Sequence, residues 1–429
     1  MRGLSQDFIA KTSMHPFTAA FVVAALGTTA LKLWLAQRHL HTIRAHRDQV
    51  PAEFAQSISL DAHRKAADYS CAKTRLARAH TALDAALLFA LTLGGGLNGL
   101  AGLADHAFSS ELLQNLALIA MVVVISALIE LPLGLYRTFA IEARFGFNQM
   151  TPRLYALDLA KQAALAAALG LPLAWAVLWL MAQMGSHWWL YVWLTWLTFN
   201  LGVLMIYPRF IAPLFNRFTP LADSALKTRI EALLQKCGYE AEGLFVMDGS
   251  KRTSHGNAFF TGFGRSKRII FFDTLLAHLT PDEVEAVLAH EIGHFKRHHI
   301  PKRLVGVFSL SLVLLWALGR VMGQEWFYQG LGVTAHGTAM ALILFFLVIP
   351  VFTFPLQPWL SHYSRKQEFE ADQYAAQHTR PETLVQALVR LYRDNATTLT
   401  PDAWHSAFYD SHPPAAQRIA RLQNAPNHG

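Results

Sequence analysis

Charge is scarce in this chain. Asp, Glu, Lys and Arg make up 15% of its 429 residues, against roughly 25% in soluble globular domains, which argues against a water-soluble fold of this length. Cysteine is scarcer still. The only two, Cys71 and Cys237, sit in no metal-type spacing, so neither a disulfide framework nor a thiolate metal cage is in prospect. Low-complexity tracts and heptad arrays are missing too.

Apolar sequence is abundant, at 53% of residues. Seven stretches reach near-spanning length, approximately 17–36, 85–103, 116–135, 163–182, 188–206, 304–322 and 338–356. The chain therefore reads as an α-helical multi-pass membrane protein. The first stretch is long and leads into a basic loop instead of a small-residue cleavage site, which marks it as a retained helix.

The 37 Lys and Arg residues orient these spans. Eight lie between spans one and two, four between three and four, fourteen between five and six, and seven after the last, while 104–115 and 183–187 hold none. By the positive-inside rule the N-terminus is outside and the C-terminus is in the cytoplasm. The net charge of +8 follows from that orientation, so the bilayer is the expected partner and no nucleic acid is expected. A composition rich in Ala and Arg but poor in Lys suggests a bacterial inner (cell) membrane.

Four regions result. Residues 1–207 hold spans one to five with their cytoplasmic loops, 208–303 form a cytoplasmic catalytic domain, 304–356 hold spans six and seven, and 357–429 form a C-terminal cytoplasmic part. Within 208–303, residues 221–238 pattern as an amphipathic helix ending at Gly. The β-rich runs 244–247 and 268–272 flank 257–261 and a turn-like 262–266, predicting a small hairpin whose edge can pair with an extended peptide.

Residues 290–294 read HEIGH. On a helix His290 and His294 stand one turn apart on one face, so both imidazoles can reach one metal ion, with Glu291 beside them as general base toward a metal-bound water. Thr280, Pro281 and Glu283 form a capping box with Pro at the first helical position, and Val284, Val287, Leu288, Ile292 and Phe295 make an apolar stripe. The helix is well specified. A second helical stretch carries Glu368 and, one turn later, Asp372. His290, His294 and Glu368 are read as the ligands of one Zn2+ per chain, leaving a fourth position for water, and Asp372 as the carboxylate that holds the distal nitrogen of a ligand His. His298 reads as a solvated helix end and Glu370 as facing elsewhere. Glu130, inside the third span, either lines a cavity or reaches water. Gly94 to Gly96 read as a site of close helix packing.

HEIGH, SRKQEFEAD at 364–372, GSKRTSHGNAFFTGFG at 249–264, FGFN at 145–148 and SHPP at 411–414 occur in order over nearly the whole chain. Together they resemble the type I CAAX prenyl endopeptidases, seven-span membrane zinc metalloproteases. The resemblance implies a barrel of seven transmembrane helices around a water-filled chamber, with a small α+β zincin-like catalytic domain on the cytoplasmic side. It further implies that Asp372 holds His290, that Asn257, with Ala258 and Phe259, binds the substrate strand, and that His412 steadies the oxyanion. The expected activity is metalloendopeptidase cleavage, by Glu-activated zinc-bound water, that removes a C-terminal tripeptide. Its substrates would be peptides or proteins, prenylated or membrane-associated. A heat-shock-type quality-control protease of membrane proteins shares the metal motifs but has a shorter N-terminal half. A transporter or channel would suit seven spans and Glu130, yet it leaves HEIGH and its matched ExxxD unexplained.

Overall fold

Apolar runs that must satisfy every backbone N–H and C=O within their own segment fold as helices, and helices dominate the molecule. The computed structural model describes residues 15–262 and 267–424. Helix α1 spans Pro16–Ala45, with Pro16 in its first turn and the His15 side chain accepting from the Phe17 amide. Helix α2 (Leu60–Leu91) is capped by Ser59, and α3 (Gly96–Ala107) follows at a 58° bend.

The second span, read over 85–103, is a bent pair. The glycines break it. Gly95 has φ +77°, a left-handed conformation that favours glycine, and a Cβ on Gly94 or Gly96 would lie 2.7 Å from the Ala90 carbonyl oxygen. The close approach they allow is that of the start of α3 to the end of α2. The other apolar helices are α4 (Glu111–Tyr136), α5 (Pro152–Gln183), α6 (Trp188–Ile206) and, after an insertion that carries a small sheet, two more described below. Among the described residues, six helices are long and apolar enough to cross a membrane, or seven if the bent pair counts as one. Val123, Leu128, Val305, Val313 and Phe346 are all more than half exposed. Exposed apolar surface of this kind suits a helix bundle set in lipid.

Between α6 and the next span lie β1 (Phe218–Pro220), α7 (Ala225–Lys236), β2 (Gly243–Met247), β3 (Ala258–Thr261), β4 (Arg268–Phe272), α8 (Asp273–His278) and α9 (Pro281–Lys296). The strands form one sheet in the order β1-β2-β4-β3. β3 pairs antiparallel with β4, as a hairpin should, but β2 joins β4 in parallel and β1 adds an antiparallel edge to β2. The predicted hairpin is therefore half of a four-stranded sheet. Residues 263–266, most of the turn expected between β3 and β4, lie outside the described residues. Helix α7 begins at Ala225 behind the Ser224 cap, four residues later than its apolar pattern suggests.

Further helices are α10 (His299–Val321), α11 (Thr338–Thr353), α12 (Gln357–His378), α13 (Pro381–Asp394), α14 (Ala403–Tyr409) and α15 (Ala415–Gln423), beside two helices of four and five residues at Ala212–Phe215 and Glu325–Gln329. One buried cluster, including Phe21, Leu97, Leu178, Leu318 and Leu344, holds the membrane helices together. A second, including Ile230, Phe271, Leu275, Leu288, Ile292, Ala375 and Leu384, ties the sheet and α7 to α9, α12 and α13. Each fully buried Leu, Ile or Phe among these contributes about 1.5–3 kcal/mol. Only one turn, Phe354–Leu356, separates the apolar α11 from α12. Helices α9 and α10 are parted by Arg297 and by His298, whose φ of 57° ends one helix and starts the next in a new direction.

Candidate metal centre

Helix α9 starts as its sequence dictates. The Thr280 amide donates to Glu283 Oε2 at 2.7 Å and the Glu283 amide to Thr280 Oγ1 at 3.4 Å. Val284, Leu288 and Ile292 are buried along its core stripe, His290 is buried beside them, and Glu291 and His294 are half-buried. Gly293 sets the approach of α12. A Cβ at Gly293 would stand 3.0 Å from both Ala371 Cα and Tyr374 Cβ, so the two helices pack almost backbone to backbone.

That approach brings Glu368 to the two histidines. His290 Nε2 lies 3.2 Å from His294 Nε2, His294 Nε2 lies 3.3 Å from Glu368 Oε1, and His290 Nε2 lies 3.5 Å from Glu368 Oε2. Donors about 2.0–2.1 Å from a tetrahedral ion stand about 3.3 Å apart. The three side chains fit one divalent cation. Glu368 Oε2 is buried with no hydrogen-bond partner, the kind of orphaned acceptor that a cation satisfies. Burial works against a charged His290, yet its bonds to Asp372 and Glu368 outweigh burial and raise its pKa to about 9. A field that favours a proton there favours a divalent cation in its place.

The flanking contacts differ for the two histidines. Asp372 Oδ1 is 2.9 Å from His290 Nδ1, and buried Arg418 reaches the same carboxylate at 2.6 and 2.8 Å and Glu368 Oε2 at 3.8 Å. His294 Nδ1 lies 2.9 Å from His299 Nδ1, and His299 Nε2 lies 3.0 Å from Glu370 Oε2. His298, with its left-handed backbone, joins neither set.

The other predicted residues surround this group unevenly. His412 Nε2 is 3.5 Å from Glu368 Oε1. Glu291, His412, Asn257 and Ala258 line a cavity of about 580 Å³ that also takes in His290 and Arg418 and runs on past Lys73 and Tyr409. Asn257 is exposed there, its Oδ1 accepting from the Ala258 amide at 2.8 Å. Phe259 does not line the cavity; its ring packs edge-on against Phe272. The FGFN segment braces the approach to β3. Phe147 stacks on His255 at 4.3 Å, Asn148 bridges to Thr253, and Arg252 forms a partly buried pair with Asp158. Glu130 takes part in a separate group, 2.5 Å from His80 Nε2, with Asp84 2.9 Å from His80 Nδ1.

Two members of the centre were not anticipated. Arg418 carried a signal, because it falls on the buried face of α15 with Ala415, Ile419 and Leu422. A cation at a core position needs a buried carboxylate. His299 carried none beyond its place in a basic run.

Comparison with known proteins matches residues 39–217 to the family described as CAAX prenyl protease N-terminal, five membrane helices, and residues 220–425 to Peptidase family M48. The chain is 34% identical to a CAAX prenyl protease 1 homolog of Oryza sativa subsp. japonica, over 89% of this chain and 93% of that protein. It is 33% identical to CAAX prenyl protease 1 of Saccharomyces cerevisiae, over 73% of each. Its structure matches the crystal structure of S. mikatae Ste24p with a TM-score of 0.88 at 28% identity, covering 96% of this chain and 100% of that one.

Proposed function

Because the chain belongs to peptidase family M48, with a CAAX prenyl protease N-terminal region, we propose how its own residues carry out the cleavage. It is a multi-pass membrane metalloendopeptidase. The observation that carries the reading is the spacing of His290, His294 and Glu368 at 3.2–3.5 Å beside Glu291 in a cavity wall. Two nitrogens and one carboxylate oxygen favour zinc among the divalent ions.

When bound, zinc supplies Lewis-acid activation of a water at the position these three side chains leave open. Glu291 takes the proton of the attacking water and returns it to the leaving amine. Asp372, held by Arg418, accepts from His290 Nδ1–H and so keeps the His290 Nε2 lone pair aimed into the site. His412 steadies the negative charge that develops on the scissile carbonyl oxygen. Asn257 and Ala258 align the peptide along β3, an outer strand of the sheet, with Phe259 contributing its strand backbone while its ring packs on Phe272.

The substrate class we infer is a prenylated CAAX-type peptide that loses its C-terminal tripeptide, the apolar group resting among the spans. The match to Ste24p supports reading the spans as a barrel around a water-filled chamber, and the sheet with α9 and α12 supports a zincin-like α+β domain. We keep the four-region division at 207, 303 and 356. The basic loops support an active site on the cytoplasmic side and explain the positive charge without nucleic acid. The relatives named above are plant and yeast proteins. They give the bacterial inner membrane no support, and the location is stated as an integral membrane.

Purified protein incubated with a prenylated CAAX peptide and its unprenylated control tests this reading. Mass spectrometry should find the tripeptide released from the prenylated peptide, abolished by chelator and restored by zinc. Cleavage undiminished by chelator would overturn it.

A further inference from the structure

We propose that Lys73 forms a subsite for the free C-terminal carboxylate of the substrate, so that the position of the cut is measured from the end of the chain. This rests on the peptidase reading above and names the feature by which the site recognises a chain end.

Ser70, Lys73 and Thr74 share one face of α2 and line the same cavity as His290 and Glu291. Lys73 is exposed. Among the described residues its ammonium meets the ring face of Tyr69 at 4.5 Å and no carboxylate oxygen within 4.0 Å. Glu142, the acid of this neighbourhood, is engaged elsewhere: by Tyr69 Oη at 2.7 Å, His255 Nε2 at 3.5 Å and Arg137 at 3.9 Å. Arg418, the other strong base lining the cavity, is bound to Asp372. Lys73 is thus the cation left to meet an incoming anion. A compact ammonium on a flexible stem suits a carboxylate whose position shifts with the residues before it.

The direction of the substrate places its end there. Tyr69 Oη lies 3.5 Å from His255 Nε2, and His255 precedes Asn257 by two residues, where β3 begins. β3 lies at the edge of the sheet. A peptide pairing antiparallel with β3, the more stable arrangement, runs with its C-terminal end toward Asn257, and so toward Tyr69 and Lys73. Three extended residues carry the terminal carboxylate about 10 Å beyond the scissile carbonyl.

The test uses the full-length protein in detergent, loaded with zinc. It compares one prenylated CAAX peptide as the free acid and as the C-terminal carboxamide. The native chain should cleave the acid with kcat/KM about tenfold or more above the amide, the difference residing in KM. Lys73→Met, with zinc content equal to the native protein, should erase that ratio, and Lys73→Arg should restore much of it. Equal cleavage of acid and amide by the native chain overturns the inference without recourse to any variant. A Lys73→Met enzyme that keeps the native ratio overturns it as well. Cleavage of neither peptide overturns the peptidase reading and this inference with it.

Discussion

Asp372 Oδ1 lies 2.9 Å from His290 Nδ1, and Arg418 grips both oxygens of that same carboxylate. The three side chains form a buried line from a C-terminal helix to a metal-facing imidazole. One charge orients the ring and the other keeps the orienting charge in place. Removing either end has different consequences. Asp372→Ala should weaken metal affinity or activity by about 10–100-fold, as loss of an outer carboxylate does. Arg418→Ala should act on the fold, leaving Asp372 and Glu368 buried without their counter-charge, at a cost of about 3–5 kcal/mol. Melting in detergent measures this, and the double variant should lose less than the sum of the two singles. Strict additivity would count against a shared network.

Glu291 stands beside the donor group without belonging to it. Glu291→Gln should retain the metal and lose turnover by at least about 10²–10⁴-fold, the loss expected when a general base is removed. Elemental analysis next to a cleavage assay checks both halves of the expectation. A metal-free variant would move Glu291 from base to ligand.

Glu368 and Glu370 differ by two positions and should differ sharply in effect. Glu368→Ala removes a donor within 3.5 Å of both histidines and should strip the metal. Glu370 touches the centre only through His299 and then His294. Glu370→Ala should keep the metal bound with a small loss of affinity, and His299→Ala should lose more. Equal depletion in the Glu368 and Glu370 variants would refute this ranking.

Gly293→Ala leaves every donor intact. Its added methyl would press on Ala371 and Tyr374 at 3.0 Å, so the helices must part, at about 1–3 kcal/mol. The expected result is a lower melting temperature together with reduced metal content. Unchanged metal content would mean that the donors tolerate a wider gap between α9 and α12.

Legibility followed locality. The metal helix could be read because a capping box, a 3.6-residue stripe and a one-turn His pair all lie within seventeen residues, and each is a local signal. Glu368 and Asp372 repeat the one-turn spacing, so they too could be found. The sheet order could not, because a parallel pairing of β2 with β4 joins segments that twenty residues and another strand separate. β1, three residues long and ending in Pro220, is too short to alternate. The bend after Leu91 was hidden by hydropathy, which is blind to backbone torsion: Gly95 is as compatible with an apolar window as with a left-handed turn. Arg418 lies 46 residues from Asp372 and 128 from His290. Only its misplacement on an apolar face hinted at its buried partner.

The run from α9 to α12 has a practical consequence for anyone wishing to study this chemistry in water. His290 and His294 precede α10, Glu368 follows α11, and both intervening helices are apolar and long or continuous enough to be counted as membrane crossings. No uninterrupted fragment of the chain carries all three donors without also carrying two lipid-facing segments. Trimming the protein to a soluble catalytic core is thereby closed off by the order of the polypeptide itself, and a detergent-free version would require cutting out α10 and α11 and rejoining the ends across the site.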